Sequence, residues 1–195
     1  MRFIILAILS LAAIISAAAL APAAHEPGEP HFYASAEPRG QQLEERSCLC
    51  TSDVDSLLGA YVRILSKWNA TADAKYIASN FKDTSDSINI LAGIPLGTVT
   101  FPSRDAFLYH ENTAPDNLPI KIVSKGPFNC DTISFIWSAT FGAANLAVRG
   151  ITILGATRQA GFWQIKTIDV EFNSLAFWLD IGGTIRYPGQ PPCTN

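Results

Sequence analysis

Between Ile120 and Phe172 the chain carries four long β segments, about Ile120 to Phe128, Thr132 to Phe141, Ala147 to Thr157 and Phe162 to Phe172. Short Gly or Asn turns join the last three, and connections of that length make antiparallel neighbours. Such a sheet must bury a face, and the cover has to come from the residues before it. From Ser52 the pattern is helical: Val54, Leu57, Leu58, Tyr61, Leu65 and Trp68 fall at three- and four-residue spacing, with Ser52 and Asp55 as a capping-box-like start. A second helix is expected from Thr71, as N-cap, to Asn80. "DSINIL", Asp86 to Leu91, reads as a strand, and "TVTF", Thr98 to Phe101, as its partner. Ser103 caps a third helix to about Asn112, with Ala106, Phe107 and His110 on one face. Helices, a hairpin, a helix and then strands form an α+β order, helices packed on one face of an antiparallel sheet.

The last strand, "FWQIKTIDVEF", breaks the strict alternation of a half-buried strand. Trp163 and Ile165 are the apolar set at first; Ile168, Val170 and Phe172 take over afterwards. Either a bulge resets the phase and puts Asp169 in water, or one face runs on and puts Asp169 in the floor of a binding site. The turn "RQAG" suits a type I turn with a glycine bulge, pairing Arg158 with Phe162. In that register Thr157 faces Trp163, Gly155 faces Ile165, Ile153 faces Thr167, Ile151 faces Asp169 and Arg149 faces Glu171. The preferred expectation is therefore a continuous pocket face with Arg149 opposite Glu171. Val148, Leu154, Ile168, Val170 and Phe172 then lie on the opposite face, available to a second copy.

Composition limits the partners. The 195 residues are 48% hydrophobic and 16% charged, with a formal charge of -3 and no basic cluster, which argues for one domain and against nucleic acid. Residues 1–24 read as a signal peptide: Arg2, an apolar Phe3 to Ile15 and Ala17-Ala18-Ala19 as cleavage site, with the mature chain starting between Ala18 and His25. No later stretch is long and apolar enough to cross a membrane, so no membrane contact is expected once the leader is gone. Residues 25–47, with five Glu and three Pro, read as a linker or pro-segment, residues 48–182 as the domain and 183–195 as an extended tail.

Four cysteines, Cys48, Cys50, Cys130 and Cys193, suit an oxidising compartment. Cys48 and Cys50 are too close in sequence to be natural partners, so each should reach Cys130 or Cys193, leaving two connectivities. Paired C-x-x-C spacing is missing, so no metal site is expected from them. Asn69-Ala70-Thr71 is a glycosylation sequon, which agrees with secretion.

With "YIASNFKDTSDSI", "TFPSRDAFLYH" and "GFWQIKTIDVEFNS" in that order, the stretch from about Cys48 to Gly182 resembles the nuclear transport factor 2-like superfamily. More closely, it is similar to secreted fungal proteins of that fold. The resemblance implies a cone, a strongly bent antiparallel sheet wrapping three helices around an apolar pocket, and in many members a dimer through the outer sheet face. It also implies that Cys130 is held to the segment before the first helix, with Cys48 its preferred partner. Members include isomerases, dehydratases, hydrolases, transport factors and binding modules, so the fold does not give the function.

In the isomerase and dehydratase members a carboxylate near the strand after the second helix is a general base, and Asp83 or Asp86 stands in a similar place. Both also suit a turn before a strand. Asp169 has a claim to the pocket, unless Arg149 pairs with it structurally. Tyr61 lies on the buried stripe of the first helix, as a carbonyl-polarising hydroxyl or as core. His110 is the one histidine of the proposed domain. The dehydratase pattern uses two, which weighs against that activity. No G-x-S-x-G elbow, Walker loop or dinucleotide fingerprint is present, and no cofactor is expected. The expected function is secreted binding of a small apolar or semi-polar ligand in the cone. The alternatives are an effector or interaction module acting on a host protein, and an isomerase or dehydratase.

Overall fold

The computed structural model describes residues 48–114, 116–186 and 188–189. The expected leader, the linker and Cys193 lie outside them.

Helix α1, Thr51–Ser66, buries Val54, Leu57, Leu58, Tyr61 and Leu65 of the stripe read from spacing, and Ile64 besides, while Trp68 lies past its end and is half-buried. Its start differs. Cys50 is the N-cap, and its amide donates to Asp53 Oδ2 at 3.0 Å. Asp55 instead pairs with Lys125. The second helix is much shorter than expected. Asn69, whose side chain accepts from Ala72 N, caps α2, Ala70–Asp73, and a 3-10 turn, Ala74–Tyr76, follows. The chain then enters β1, Ile77–Thr84, because Ile77 and Asp83 align with Ile165 and Ile168 in a parallel pairing with the last strand.

"DSINIL" is a helix, not a strand. Ser85 caps α3, Asp86–Ala92, by accepting from Ile88 N, and Gly93 ends it in the left-handed region at φ 71°. β2, Val99–Phe101, pairs with β1 instead. Helix α4, Arg104–Thr113, starts at Ser103 as read, with Phe107, His110 and Glu111 buried. The strands β3, Lys121–Phe128, β4, Thr132–Ala139, β5, Val148–Gln159, and β6, Phe162–Phe172, follow, then α5, Ser174–Asp180, from the apolar "SLAFWLD". Asp180 holds the loop before β5 by accepting from the amides of Phe141, Gly142 and Leu146.

The six-stranded sheet has the order β2-β1-β6-β5-β4-β3. Its concave face carries Ile133, Phe135, Trp137, Leu154, Ile165, Ile168 and Val170 against Tyr61, Leu57 and Phe107 of the helices.

The β5-β6 hairpin corrects the continuous-face reading. Its turn has two residues, Ala160 at φ 52° and Gly161 at φ 85°, so Gln159 pairs with Phe162 and Arg158 with Trp163. A bulge then follows: Ala156 pairs with Ile165 but Gly155 with Thr167, and Lys166 is left over and exposed. Gly155 admits this shift because a Cβ there would stand 2.3 Å from Thr167 Oγ1. The phase resets, so Trp163, Ile165, Ile168 and Val170 all belong to the concave side. Asp169 pairs with Ile153 and is exposed. Val148, Leu154, Ile168 and Val170, expected on the outer face, are core. The convex face has Ile151 and Ile153, 56% and 44% exposed.

Candidate functional site

The structure divides the eight residues expected in the pocket. Tyr61, Asp83 and His110 are buried inside the cone. Trp163 lines an open cavity at the other end of β1 and β6. Asp86, Arg149, Asp169 and Glu171 are elsewhere. Asp86 accepts from Gly97 N at 2.7 Å. Arg149 is exposed, and its carbonyl accepts from Asn173 N. Glu171 faces Ile151, not Arg149, and caps α3 by accepting from the amides of Asp86 and Ser87.

In the inner cluster, α1 places Tyr61 across from β5. Its hydroxyl lies 3.2 Å from Thr152 Oγ1, which also accepts from Trp137 Nε1 at 3.0 Å. Full burial, only partly offset by the Thr152 hydroxyl, pushes the Tyr61 phenol well above its ordinary range. On β1, alternation turns Asp83 inward with Phe81. Asp83 is 5% exposed and its Oδ1 has no hydrogen-bond partner. Desolvation pushes its carboxyl well above 3.8, and the charges of Asp116 and Asp169 push it further.

The last turn of α4 adds His110 and Glu111. The chain doubles back after the helix, so that Asp116 Oδ1 lies 3.0 Å from His110 Nε2. The His110 ring packs on Phe101, centroids 5.1 Å apart. Glu111 is 0% exposed, and neither carboxylate oxygen has a hydrogen-bond partner of ordinary geometry. Burial raises its carboxyl to about 9, helped by the Asp116 charge and held back in part by the Asp116 amide. One donor atom from each of His110, Glu111 and Asp116 lies within 4.8 Å of the others, so this set could hold a metal ion. Sequence reasoning missed Glu111 and Asp116. The available signal was spacing: Glu111 is four residues after Phe107 and shares its buried face.

The cavity has a volume of about 520 Å³ and lies between the first turns of α1 and the β5-β6 hairpin. Trp163, Phe162 and Tyr76 supply aromatic walls, and Lys75, Arg158 and Asp53 supply charge. Tyr76 meets Phe162 edge to face at 6.2 Å, and Lys75 Nζ stands 5.4 Å from the Tyr76 ring centroid. Asp53 is held ionised, its carboxyl below the ordinary range, by the Cys50 side chain first and the Cys50 amide second, with smaller help from Arg158 and Trp163. Cys48 lines the same wall and is bonded to Cys130, the pairing the resemblance implied. Cys50 is exposed and has no disulfide partner among the described residues.

Compared with known proteins, residues 47–184 match the model of a family described as NTF2-like domain. No curated protein matches the chain. Among solved structures, it is similar to a Catenulispora acidiphila protein described as having a ketosteroid isomerase-like fold and crystallised with trimethylamine. That match has 12% identity and a TM-score of 0.48, over 66% of this chain and 93% of that one. A putative ketosteroid isomerase from Kribbella flavida is similar at 11% identity and a TM-score of 0.47, over 72% of this chain and 84% of that one. An NTF2-like protein of unknown function from Burkholderia pseudomallei has 12% identity and a TM-score of 0.47, over 69% of this chain and 100% of that one.

Proposed function

The chain belongs to the NTF2-like domain family, and on that premise we propose that it binds one small semi-polar molecule on the concave side of its sheet, in the cavity beside Trp163. The observation that carries this is the cavity itself. Its volume of about 520 Å³ falls among those of small-molecule sites, which combine apolar walls with a few placed polar groups. A flat apolar body would stack among Tyr76, Phe162 and Trp163, with an anionic or hydrogen-bond-accepting group toward Lys75. Asp53 disfavours a second negative charge on the ligand.

Calorimetry with a panel of naphthalene and indole carboxylates tests this. At least one should bind at one site per chain, and Trp163→Ala and Lys75→Ala should each weaken it about tenfold or more, the scale of a lost stacking or charged contact. Ile153→Ala, on the convex face, should leave it unchanged. No binding across the panel, or equal binding to Trp163→Ala, would overturn the reading.

Isomerase or dehydratase activity is the second reading, favoured by Tyr61 and Asp83 at the same buried end of the cone. With its carboxyl raised, Asp83 is fitted to deliver a proton rather than to remove one. Turnover of a cyclic ketone or alcohol, lost in Asp83→Asn with binding retained, would support it. Export is proposed alongside, supported by the apolar leader and the Cys48–Cys130 disulfide. A glycan on Asn69 belongs to the same proposal, since Asn69 is exposed. N-terminal sequencing and mass of the protein from the culture medium check both.

A further inference from the structure

We propose that His110, Glu111 and Asp116 form a binding site for one divalent first-row metal ion, with the His110 Nε2 and one oxygen from each carboxylate as donors. The sequence reading expected no metal, because it weighed only the cysteines.

Three observations converge on it. First, the donors are already gathered: one atom from each lies within 4.8 Å of the others. Atoms held about 2.1 Å from one ion and at right angles to each other lie about 3.0 Å apart. His110 Nε2 and Asp116 Oδ1 are 3.0 Å apart. The spacings to the Glu111 oxygen are no more than 4.8 Å.

Second, Glu111 is fully buried and neither of its carboxylate oxygens has a hydrogen-bond partner of ordinary geometry. Two carboxyl groups gather beside one imidazole, and among the described residues no lysine or arginine forms an ion pair with either. Buried acids in that state need a counter-charge, either protons of their own or a cation. A cation answers the buried Glu111 carboxylate and the like-charge crowding with Asp116 at once.

Third, the donor types select the ion. One imidazole nitrogen with two carboxylate oxygens suits zinc, manganese or iron, whereas calcium and magnesium favour all-oxygen sets. Binding through Nε2 requires the His110 proton to sit on Nδ1. Any proton shared between His110 and Asp116, or held by Glu111, is then released to solvent.

The site is separate from the cavity beside Trp163 and does not depend on it, so either can fail alone. The test uses the purified chain, stripped with a chelator and dialysed, with no organic ligand present. Calorimetric titration with zinc should show one site per chain, with proton release seen as a heat that changes with the ionisation enthalpy of the buffer. Cobalt should give visible d-d bands without a near-ultraviolet thiolate band, since such a band would place the ion on Cys50. Glu111→Gln and Asp116→Asn should each weaken zinc at least tenfold, and Asp86→Asn, a carboxylate outside the cluster, should not. Should Glu111→Gln fail to fold, Asp116→Asn carries the comparison. No stoichiometric zinc binding by the parent chain, a cobalt thiolate band, or affinity unchanged in the foldable variants would each overturn the proposal, leaving protons as the counter-charge.

Discussion

Glu171 Oε1 accepts the Asp86 amide at 2.7 Å, joining the end of β6 to the start of α3. Its second oxygen receives Ser87 N at 3.0 Å and the Ser87 hydroxyl. A carboxylate at a helix N-terminus satisfies amides that have no partner inside the helix and complements the helix dipole. Two residues that read as pocket acids are therefore parts of one structural clasp. Glu171→Ala should cost about 1–2 kcal/mol of stability, within the range of lost N-caps, and leave ligand affinity unchanged. Denaturant unfolding beside a binding titration checks both halves.

The phase reset in β6 predicts opposite fates for neighbours. Val170 is core and Asp169 is exposed. Val170→Asp puts a carboxylate into an apolar interior and should unfold the chain or cost more than about 3 kcal/mol. Asp169→Asn should stay within about 0.5 kcal/mol of the parent, as surface changes do. Equal effects of the two in a thermal melt would contradict the bulge at Gly155 and Lys166.

What the sequence revealed and what it hid follow from locality. The α1 stripe, the Ser103 cap of α4 and the four long strands were legible because their periodicity and caps lie within a few residues. β1 was hidden because its reason to be extended is a parallel partner 85 to 88 positions away: Asp83 pairs with Ile168 and Ile77 with Ile165. "DSINIL" was misread because a short apolar run fits either period, and part of its helix cap comes from Glu171. Tyr61 and His110 were found because they sit on buried faces of readable elements, and Asp83 because the family resemblance pointed to a carboxylate in its place. Glu111 and Asp116 were missed because carboxylates usually face water, and only the doubled-back chain after α4 brings them together.

Stability should depend on pH from both sides. Asp83 has its folded carboxyl raised by burial first and by Asp116 and Asp169 second; Tyr61 and Glu111 also feel its charge. A raised folded value means the native state binds the proton more tightly, so this contribution is full below 3.8 and is lost as pH rises through the folded value. Asp180 runs the other way. Burial raises it, but the Phe141, Gly142 and Leu146 amides outweigh that, so its contribution is present above 3.8 and fades as pH falls below. In chelator-containing buffer, Asp83→Asn should flatten the decline of stability above pH 4, and Asp180→Asn should weaken the acid limb. Denaturant midpoints across pH 3 to 9 for the three proteins decide it.

The Cys48–Cys130 disulfide should couple folding to the cavity. It spans 82 residues, and the Leu49 amide beside it donates to the Cys130 carbonyl at 3.1 Å, so the segment entering α1 is tied to the β3-β4 end of the sheet. On the chain-entropy model a loop of that length contributes about 4–5 kcal/mol by restricting the unfolded chain. Cys48 also lines the cavity, so cutting the bond should loosen one wall as well as lower stability. Cys130→Ser should lower the melting temperature by roughly 10 °C or more and weaken any carboxylate bound beside Trp163. Cys50→Ser removes a thiol whose partners among the described residues are Ser52 and Asp53 nearby, and should change the melt far less. Mapping without reductant should recover Cys48 and Cys130 in one linked peptide. Recovery of Cys50 linked to Cys130, or a Cys130→Ser variant that melts with the parent, would overturn the link between this bond, the fold and the cavity wall.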